Sequence, residues 1–315
     1  MRTGVSYMGH HNPQHLKTDL EEMKRLRLDD VLVSAQENDF VYFTGKIKFT
    51  PNIAKDLGIR PIAIFWGALN LFGGGRSSQF LLEHPEGFQV AADGAHRPQG
   101  CYVNPACVGR IKQMIDRIAE LGFEGYFIDE PTTLKDCYCP SCRAGFEEWY
   151  GGDLAGAEEG TRNEFRQRCV IEYIREILDH SKANHPRIET MCCLMPHDKA
   201  MWTESSKIKS LDNLGTDIYL VNRDWDIGQT MTPMLKELDA TCKKAGKIHH
   251  EWLQCFAARR GNEERIVQQG KVLIREQPDA LYVWAWKAQI GTTEAADDPE
   301  LAWAKAAQVL RMAKE

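Results

Sequence analysis

Short apolar runs alternate with longer segments of helical periodicity along this sequence. The first two runs, residues 3–8 and 30–35, enclose a segment in which Leu16, Leu20 and Met23 recur at the spacing of one helix face. The same spacing returns between positions 108 and 121, directly before another apolar run. Buried strands that alternate with amphipathic helices are typical of a parallel sheet covered by helices.

Eight such strand-and-helix units are predicted. The predicted strands are residues 3–8, 30–35, 61–66, 123–128, 188–194, 216–221, 248–253 and 280–286. Eight units in 315 residues favour a (β/α)8 TIM barrel. We therefore expect one catalytic α/β domain over residues 1–315, with long loops after the third and fourth strands.

A doubly wound open sheet is the alternative to a closed barrel. No Gly-x-Gly-x-x-Gly turn follows the first predicted strand, which argues against a dinucleotide-binding sheet. The glycine triplet at residues 73–75 lacks the strand–turn–helix context of a phosphate loop. No organic cofactor is therefore expected.

Two carboxylates, Glu130 and Glu251, lie at the ends of the fourth and seventh predicted strands. In a parallel barrel these ends meet at the rim that carries the active site. Retaining glycosidases use two carboxyl groups roughly 5 Å apart, one as acid/base and one as nucleophile. The sequence predicts Glu130 as the acid/base and Glu251 as the nucleophile of a double displacement on a β-linked glycoside.

Asp129 allows a second assignment. Successive side chains on a strand point to opposite faces, so one of Asp129 and Glu130 is expected to face the pocket and the other to pack or cap. Asp129 can then be the nucleophile of an α-glycosidase, with Asp217 or Asp224 near the sixth strand as the acid. A non-catalytic carbohydrate-binding barrel is a further alternative.

Polar and aromatic side chains near the strand ends complete the predicted pocket. Aromatic rings have apolar faces that can stack on sugar rings. The expected substrate contacts are Asp129, Glu37, Asn38, Tyr219, Trp66, Trp252, Trp284 and Trp286. A third hypothesis is a metal-dependent hydrolase that uses His10 and His11, although the His-x-His spacing of that class is absent.

A Cys-x-Cys-x-x-Cys cluster, formed by Cys137, Cys139 and Cys142, follows the fourth strand. Three thiolates at this spacing can surround one tetrahedral metal ion, and a distant ligand completes the site. Cys101 is the expected fourth ligand and Cys107 the second choice. A closed four-thiolate site predicts a structural Zn²⁺ that ties the third loop to the fourth.

The acid pair and the cysteine cluster resemble those of the family 42 glycoside hydrolases, the β-galactosidase group of clan A barrels. In that family an Asn-Glu pair ends the fourth strand, a Cys-x-Cys-x-x-Cys cluster follows, and an earlier cysteine completes a zinc site. This chain has Asp129-Glu130 before its cluster and Cys101 upstream. The resemblance covers mainly residues 100–150 and 247–291.

The resemblance implies a retaining glycosidase with its nucleophile at Glu251, where the family's seventh strand ends. It also implies an aromatic eighth strand, which residues 282–287 provide. Asp129 stands where the family has an asparagine that contacts the sugar 2-hydroxyl. That difference favours a relative with another substrate over a true galactosidase.

Composition sets the expected partners. The net charge of −6 and the scattered basic residues argue against nucleic acid binding. The sequence contains no run of 18 or more apolar residues, the length that would predict a membrane span. No secretory signal is visible at the N-terminus. The clustered cysteines favour a reducing compartment, so we expect a cytoplasmic enzyme with a carbohydrate substrate, either monomeric or homo-oligomeric.

Overall fold

The computed structural model describes residues 1–74, 77–131 and 136–315. Its strands are β1 (Arg2–Tyr7), β2 (Asp30–Ser34), β3 (Arg60–Ile64), β4 (Phe88–Val90), β5 (His96–Gly100), β6 (Gly125–Asp129), β7 (Glu189–Leu194), β8 (Asn213–Thr216), β9 (Ile248–Gln254) and β10 (Ala280–Trp284). Its α-helices are α1 (Pro13–Arg25), α2 (Gly45–Asp56), α3 (Gln79–Glu83), α4 (Pro105–Glu120), α5 (Pro140–Tyr150), α6 (Glu159–Asn184), α7 (Lys199–Ser206), α8 (Ile227–Ala245), α9 (Glu263–Glu276) and α10 (Pro299–Met312).

Eight of these strands close into a parallel barrel. Their order around the barrel is β1-β10-β9-β8-β7-β6-β3-β2, and β4 and β5 form a separate antiparallel pair in the third loop. The predicted (β/α)8 barrel is therefore confirmed. Strand β6 is the fourth barrel strand and β10 the eighth, so the two lie on opposite sides of the barrel.

The two faces of each strand contribute to two different cores. Phe127, Met191, Trp252 and Tyr282 belong to the core inside the barrel. Their neighbours on the same strands, such as Ile128, pack into the larger core between the barrel and the helices. Strand parity therefore decides whether a side chain reaches the barrel interior or the helix layer.

Paired charges close the N-terminal end of the barrel. Arg2 donates to Glu189 (Nη2–Oε1 2.8 Å), and Arg60 pairs with both Asp30 (Nε–Oδ1 2.9 Å) and Glu189. Burial alone would raise the pKa of Glu189, but the two guanidinium groups lower it to about 2. Since these charges are already paired, the chemistry is expected at the opposite end.

Helix α4 sets the position of the segment before β6. Asn104 caps the helix by accepting from the backbone N–H of Ala106 (2.9 Å), and Pro105 occupies the first helical position. Its apolar face is buried against the barrel through Ile111, Met114, Ile115 and Ile118. This helix start holds Cys101 close to the rim of the barrel.

The sixth barrel strand differs from the prediction. Residues 216–221 were expected to form it, but β8 is Asn213–Thr216 and its pairing with β7 ends at Leu194–Thr216. The apolar residues of 218–221 follow the strand and are buried beyond its end. Asp217 therefore directly follows the strand, at the level of the rim.

Candidate active site

A pocket opens at the C-terminal ends of the barrel strands. Its volume is about 470 Å³, within the size range of small-molecule sites. It is lined by Trp66, Gly74, Asp129, Glu130, Asp217, Tyr219, Phe256, Trp284, Gln289, Thr293 and Glu294. These residues come from or follow β3, β6, β8, β9 and β10 and include four carboxyl groups.

Asp129 is the last residue of β6 and points into the pocket. Phe127 belongs to the interior core, and Asp129 shares its face of the strand. Asp129 is buried, and both this burial and the nearby charge of Glu130 raise the pKa of its carboxyl well above the usual value.

Glu130 also reaches the pocket, which corrects the expectation that it and Asp129 point in opposite directions. Its φ of 41° lies in the left-handed region, so the regular strand geometry ends at this residue. Its backbone N–H donates to the carbonyl of Cys193 on the neighbouring strand (3.1 Å). The turn brings both acids to one rim, and Pro131 follows it.

Asp217 supplies the third carboxyl group. Its carboxyl lies within hydrogen-bonding reach of Glu130. Burial, followed by the charge of Glu130 and this hydrogen bond, raises the pKa of Asp217 well above its usual value. Its Oδ1 atom is buried and has no hydrogen-bond partner among the described residues. Asp224, the other predicted candidate, is exposed and does not line the pocket.

Asp129 and Asp217 both lie close to Glu130, whose charge adds to the effect of burial in raising the pKa of each. Like charges this close cannot all be ionised at low cost, so Asp129 and Asp217 retain protons to higher pH than isolated carboxyls would. Such a cluster can hold one carboxylate ready for attack beside one carboxylic acid ready to donate. This is the chemical equipment that cleavage of a glycosidic bond requires.

Glycines let the third loop approach these acids closely. A Cβ on Gly73 would lie 2.8 Å from Oδ2 of Asp129, and a Cβ on Gly74 would overlap the indole of Trp66. The Gly73 N–H also donates to the backbone carbonyl of Asp129 (2.8 Å). The loop backbone therefore forms part of the pocket wall, while Gly75 of the same triplet lies outside the described residues.

Aromatic side chains form much of the remaining wall. Trp66 and Trp284 contact one another with ring centroids 6.2 Å apart, and Tyr219 packs edge-on against Phe256 at 5.0 Å. Four of the eight predicted substrate contacts thus line the pocket: Asp129, Trp66, Tyr219 and Trp284.

Glu251 does not reach the pocket, so the predicted pairing with Glu130 is wrong. It lies within β9 on the outward face, between the barrel and α8, and is fully buried. Its Oε1 pairs with Nε2 of His249 at 2.6 Å, and Nδ1 of His249 lies 3.6 Å from Asp239. The prediction failed because His250 and Trp252 face the barrel interior, so Glu251 between them faces the helix layer.

The other two predicted tryptophans, Trp252 and Trp286, lie outside the pocket lining. Trp252 is buried inside the barrel beneath the pocket, against Phe127 at 5.2 Å and Trp284 at 5.4 Å. Trp286 packs on Trp303 of α10 at 4.7 Å. Both are core residues, and their predicted contact with substrate is wrong.

Glu37 and Asn38 line a separate cleft rather than the pocket. The carboxylate of Glu37 accepts from the backbone N–H groups of Leu69 (2.9 Å) and Phe80 (3.1 Å). Glu37 therefore anchors the third loop from the end of β2. The prediction that Glu37 and Asn38 contact substrate in the acid-lined pocket is wrong, because the short helical turn at Glu37–Phe40 carries them away from it.

His10 and His11 do not form a shared site. His10 lies beside Asp19 (Nε2–Oδ2 3.5 Å), whereas the ring of His11 packs on Phe43 with centroids 5.2 Å apart. Neither lines the pocket. The metal-dependent hydrolase hypothesis therefore has no support from their positions.

The cysteine cluster assembles as expected. The sulfur atoms of Cys101, Cys137, Cys139 and Cys142 all lie within 4.8 Å of one another, and all ten cysteines are free thiols. Sγ of Cys101 is 3.4 Å from that of Cys142 and 3.6 Å from that of Cys139. Cys107 instead donates to the carbonyl of Gly87 (3.3 Å), which resolves the choice of fourth member in favour of Cys101.

Several pocket residues escaped the sequence analysis. Phe256 follows β9, and Gln289, Thr293 and Glu294 lie in the loop after β10. Their signal was weak because they stand beyond the apolar runs, in loops whose path the periodicity does not predict. The positions of β9 and β10 predict that these loops follow strand ends. The sequence does not indicate which of their side chains face the pocket.

No protein-family model matches this sequence, and no curated protein matches it. Solved structures do match. The β-galactosidase of the Antarctic haloarchaeon Halorubrum lacusprofundi superposes with a TM-score of 0.74 at 16% identity, covering 100% of this chain and 58% of that chain.

Two further structures extend this comparison. The β-galactosidase of Bacillus circulans sp. alkalophilus has a TM-score of 0.74 at 12% identity, covering 100% of this chain and 56% of that chain. The glycoside hydrolase domain of PelA from Pseudomonas aeruginosa has a TM-score of 0.54 at 9% identity, covering 94% of this chain and 99% of that domain.

These similarities establish a shared barrel fold. The chain spans less than two thirds of the length of the two β-galactosidases. Among the described residues, no helix is both long and apolar enough to cross a membrane.

Proposed function

We propose that this barrel hydrolyses a glycosidic bond in the pocket formed by its strand ends. The observation that supports this most strongly is the convergence of Asp129, Glu130 and Asp217 in one aromatic-walled pocket. The barrel's structural similarity to β-galactosidases and to a glycoside hydrolase domain agrees with the proposal. A fold alone does not define an activity, so the acid cluster carries the argument.

The proposed mechanism is a double displacement with Asp129 as the nucleophile. In the first step the Asp129 carboxylate attacks the anomeric carbon, the glycosidic C–O bond breaks, and the leaving oxygen takes a proton from the Asp217–Glu130 pair. In the second step water attacks the anomeric carbon of the glycosyl ester. The same pair accepts a proton from this water, and the carboxylate of Asp129 leaves.

The pair formed by Asp217 and Glu130 suits the proton-transfer role. A proton held between two carboxyl groups stays bound to higher pH than a proton on one isolated carboxyl. Because that proton neutralises charge beside Asp129, it reduces the part of the upward pKa shift of Asp129 that the charge of Glu130 causes. One cluster thus supplies both protonation states that the reaction needs.

The experiment that tests this proposal uses aryl α- and β-glycosides of pyranoses and furanoses with the purified chain. We expect hydrolysis of one anomeric series, with the first-formed sugar retaining the anomeric configuration when followed by NMR. Inversion of configuration would eliminate Asp129 as a nucleophile while leaving hydrolysis intact. Absence of hydrolysis across the panel would count against the activity itself.

Replacement of Gly73 by Ala is expected to lower kcat by about 10²-fold, since a misplacement of roughly 1 Å at a reacting group can cost that much. The new methyl group would stand 2.8 Å from Oδ2 and 3.1 Å from Cγ of Asp129, so the carboxyl must move. Gly109→Ala in α4 is the control, because nothing lies within 4 Å of its Cβ position. Equal kcat values for the two variants would contradict a positioning role for the loop.

We further propose that the four cysteines bind one structural Zn²⁺. Zinc–sulfur bonds of about 2.3 Å in a tetrahedron place the sulfurs about 3.8 Å apart. The sulfur separations given above are close to this value. Four thiolates fill the coordination shell, so the ion would join the segment after β5 to the start of α5 and supply no open site to substrate.

Metal analysis tests the zinc proposal. We expect one zinc per chain in the wild type and a marked loss of zinc in Cys101→Ser. Cys107→Ser is the matched control, because Cys107 is a buried thiol of the same segment outside the cluster. Equal zinc contents in the two variants, or a wild type without zinc, would contradict the assignment.

A further inference from the structure

The charges of the pocket lining are all of one sign. Asp129, Glu130, Asp217 and Glu294 line it, and no lysine, arginine or histidine does so among the residues described. Catalysis accounts for the three acids on β6 and after β8. Glu294 is left without a catalytic role, and the lining offers no basic side chain to neutralise its carboxylate.

Glu294 follows a strand on the opposite side of the barrel from the strand of Asp129 and Glu130. It follows β10, which faces β6 across the barrel. Its backbone is fixed at both ends, because its N–H donates to the Thr292 hydroxyl (3.2 Å) and its carbonyl accepts from Ala257 (2.9 Å). Its side chain is exposed to solvent where it lines the pocket, which suits contact with a substituent of a sugar better than contact with the scissile bond.

The pocket acids do not bring three ligand atoms as close together as the cysteine cluster does. Within residues 1–74, 77–131 and 136–315, the cysteine cluster is the one group of metal-ligating side chains whose ligand atoms all lie within 4.8 Å. Asp129, Glu130 and Asp217 lie close to one another, and Glu294 reaches the pocket from the loop after β10. This arrangement suits an organic cation that is large enough to fill the pocket.

Two independent features point to a cationic ligand. The Oδ1 atom of Asp217 is buried and unpartnered, which is costly unless a donor from the ligand reaches it. The indole rings of Trp66 and Trp284 also line the pocket, and aromatic faces attract ammonium groups through cation–π interactions.

We infer that the pocket selects glycosides that bear a free ammonium group, that is, amino sugars without an N-acetyl group. Glu294 is the residue that determines this selectivity. An acetylated sugar of the same shape carries no charge and leaves the carboxylates uncompensated. The inference rests on the proposed glycosidase function, but binding tests it separately from turnover.

The test measures binding of free monosaccharides, which have no glycosidic bond to cleave, to the whole chain. Glucosamine, galactosamine and mannosamine are compared with their N-acetyl counterparts by ligand-observed NMR titration, below the pKa of the sugar amine. We expect at least one amino sugar to bind about 10-fold or more tightly than its acetylated form, as hydrogen bonds to charged groups allow. Added salt should reduce this ratio.

Glu294→Gln is expected to remove most of the selectivity ratio, whereas Glu300→Gln, an exposed acid in the first turn of α10, should leave it unchanged. Equal or weaker binding of every amino sugar, including no binding at all, would overturn the inference. A ratio that survives Glu294→Gln would overturn the role of that residue. Selective binding without hydrolysis of any glycoside would support the inference and contradict the proposed function.

Discussion

Asp129→Asn is expected to abolish turnover and at the same time to stabilise the fold. Loss of a catalytic carboxylate should lower kcat by about 10³-fold or more, in line with the effects of removing groups that transfer protons or attack substrate. The asparagine keeps the shape of the side chain at the end of β6. It removes a buried charge that repels Glu130, so the free energy of unfolding should rise.

The stability gain has a definite pH dependence. The pKa of Asp129 is raised in the folded protein by burial and by Glu130, so folding favours its protonated form. Such a group contributes stability that is fully present below its unfolded pKa and is lost as pH rises through the folded pKa. The gain from Asp129→Asn should therefore be small in acid and grow towards neutral pH, as measured by urea unfolding.

Matched carboxyl variants separate catalysis from structure. Asp217→Asn should also lower kcat, and most strongly on glycosides with poor leaving groups, because these depend most on a proton donor. Glu251→Gln should leave kcat within a few-fold of the wild type in protein that remains folded, because Glu251 lies outside the pocket. Loss of turnover in Glu251→Gln alone would reverse the assignment of the nucleophile.

Periodicity predicted the barrel because each strand and helix is long enough to show its pattern. The boundaries of most strands agree within a few residues, and the spacing of Cys137, Cys139 and Cys142 sufficed to predict a cluster. Local features of this kind are encoded in neighbouring residues. The choice of Cys101 also succeeded, because helix α4 fixes its distance from β6.

The site was predicted only in part because it depends on single-residue details of the backbone. The positive φ of Glu130 brings two adjacent acids to one pocket, and no periodicity predicts that turn. Glu251 was expected at the rim, but β9 continues three residues beyond it to Gln254, and its place on the strand directs its side chain to the helix layer. A one-residue change in parity reverses the face that a strand side chain occupies.

Glu251→Gln is expected to lower the free energy of unfolding by about 3–5 kcal/mol, the usual effect of removing one partner from a buried charge pair. Glu251 is fully buried and bonds His249 at 2.6 Å between β9 and α8. Urea unfolding measures the loss. Glu237→Gln on α8 is the control, because its pair with Lys199 is exposed and should contribute less than about 1 kcal/mol.

The same pair should make the destabilisation depend on pH. Burial lowers the pKa of His249, but the hydrogen bond and charge of Glu251, aided by Asp239 and Asp279, raise it more, so its net shift is upward. Burial raises the pKa of Glu251, and the bond to His249 only partly offsets this. Both groups therefore contribute stability that is present at low pH and is lost as pH rises through their folded pKa values.

In Glu251→Gln the buried His249 would lose the partner that favours its charged form. The difference from the wild type should therefore be largest in mild acid and should shrink at alkaline pH. A difference that grew with pH would mean that folding favours the deprotonated forms of Glu251 and His249.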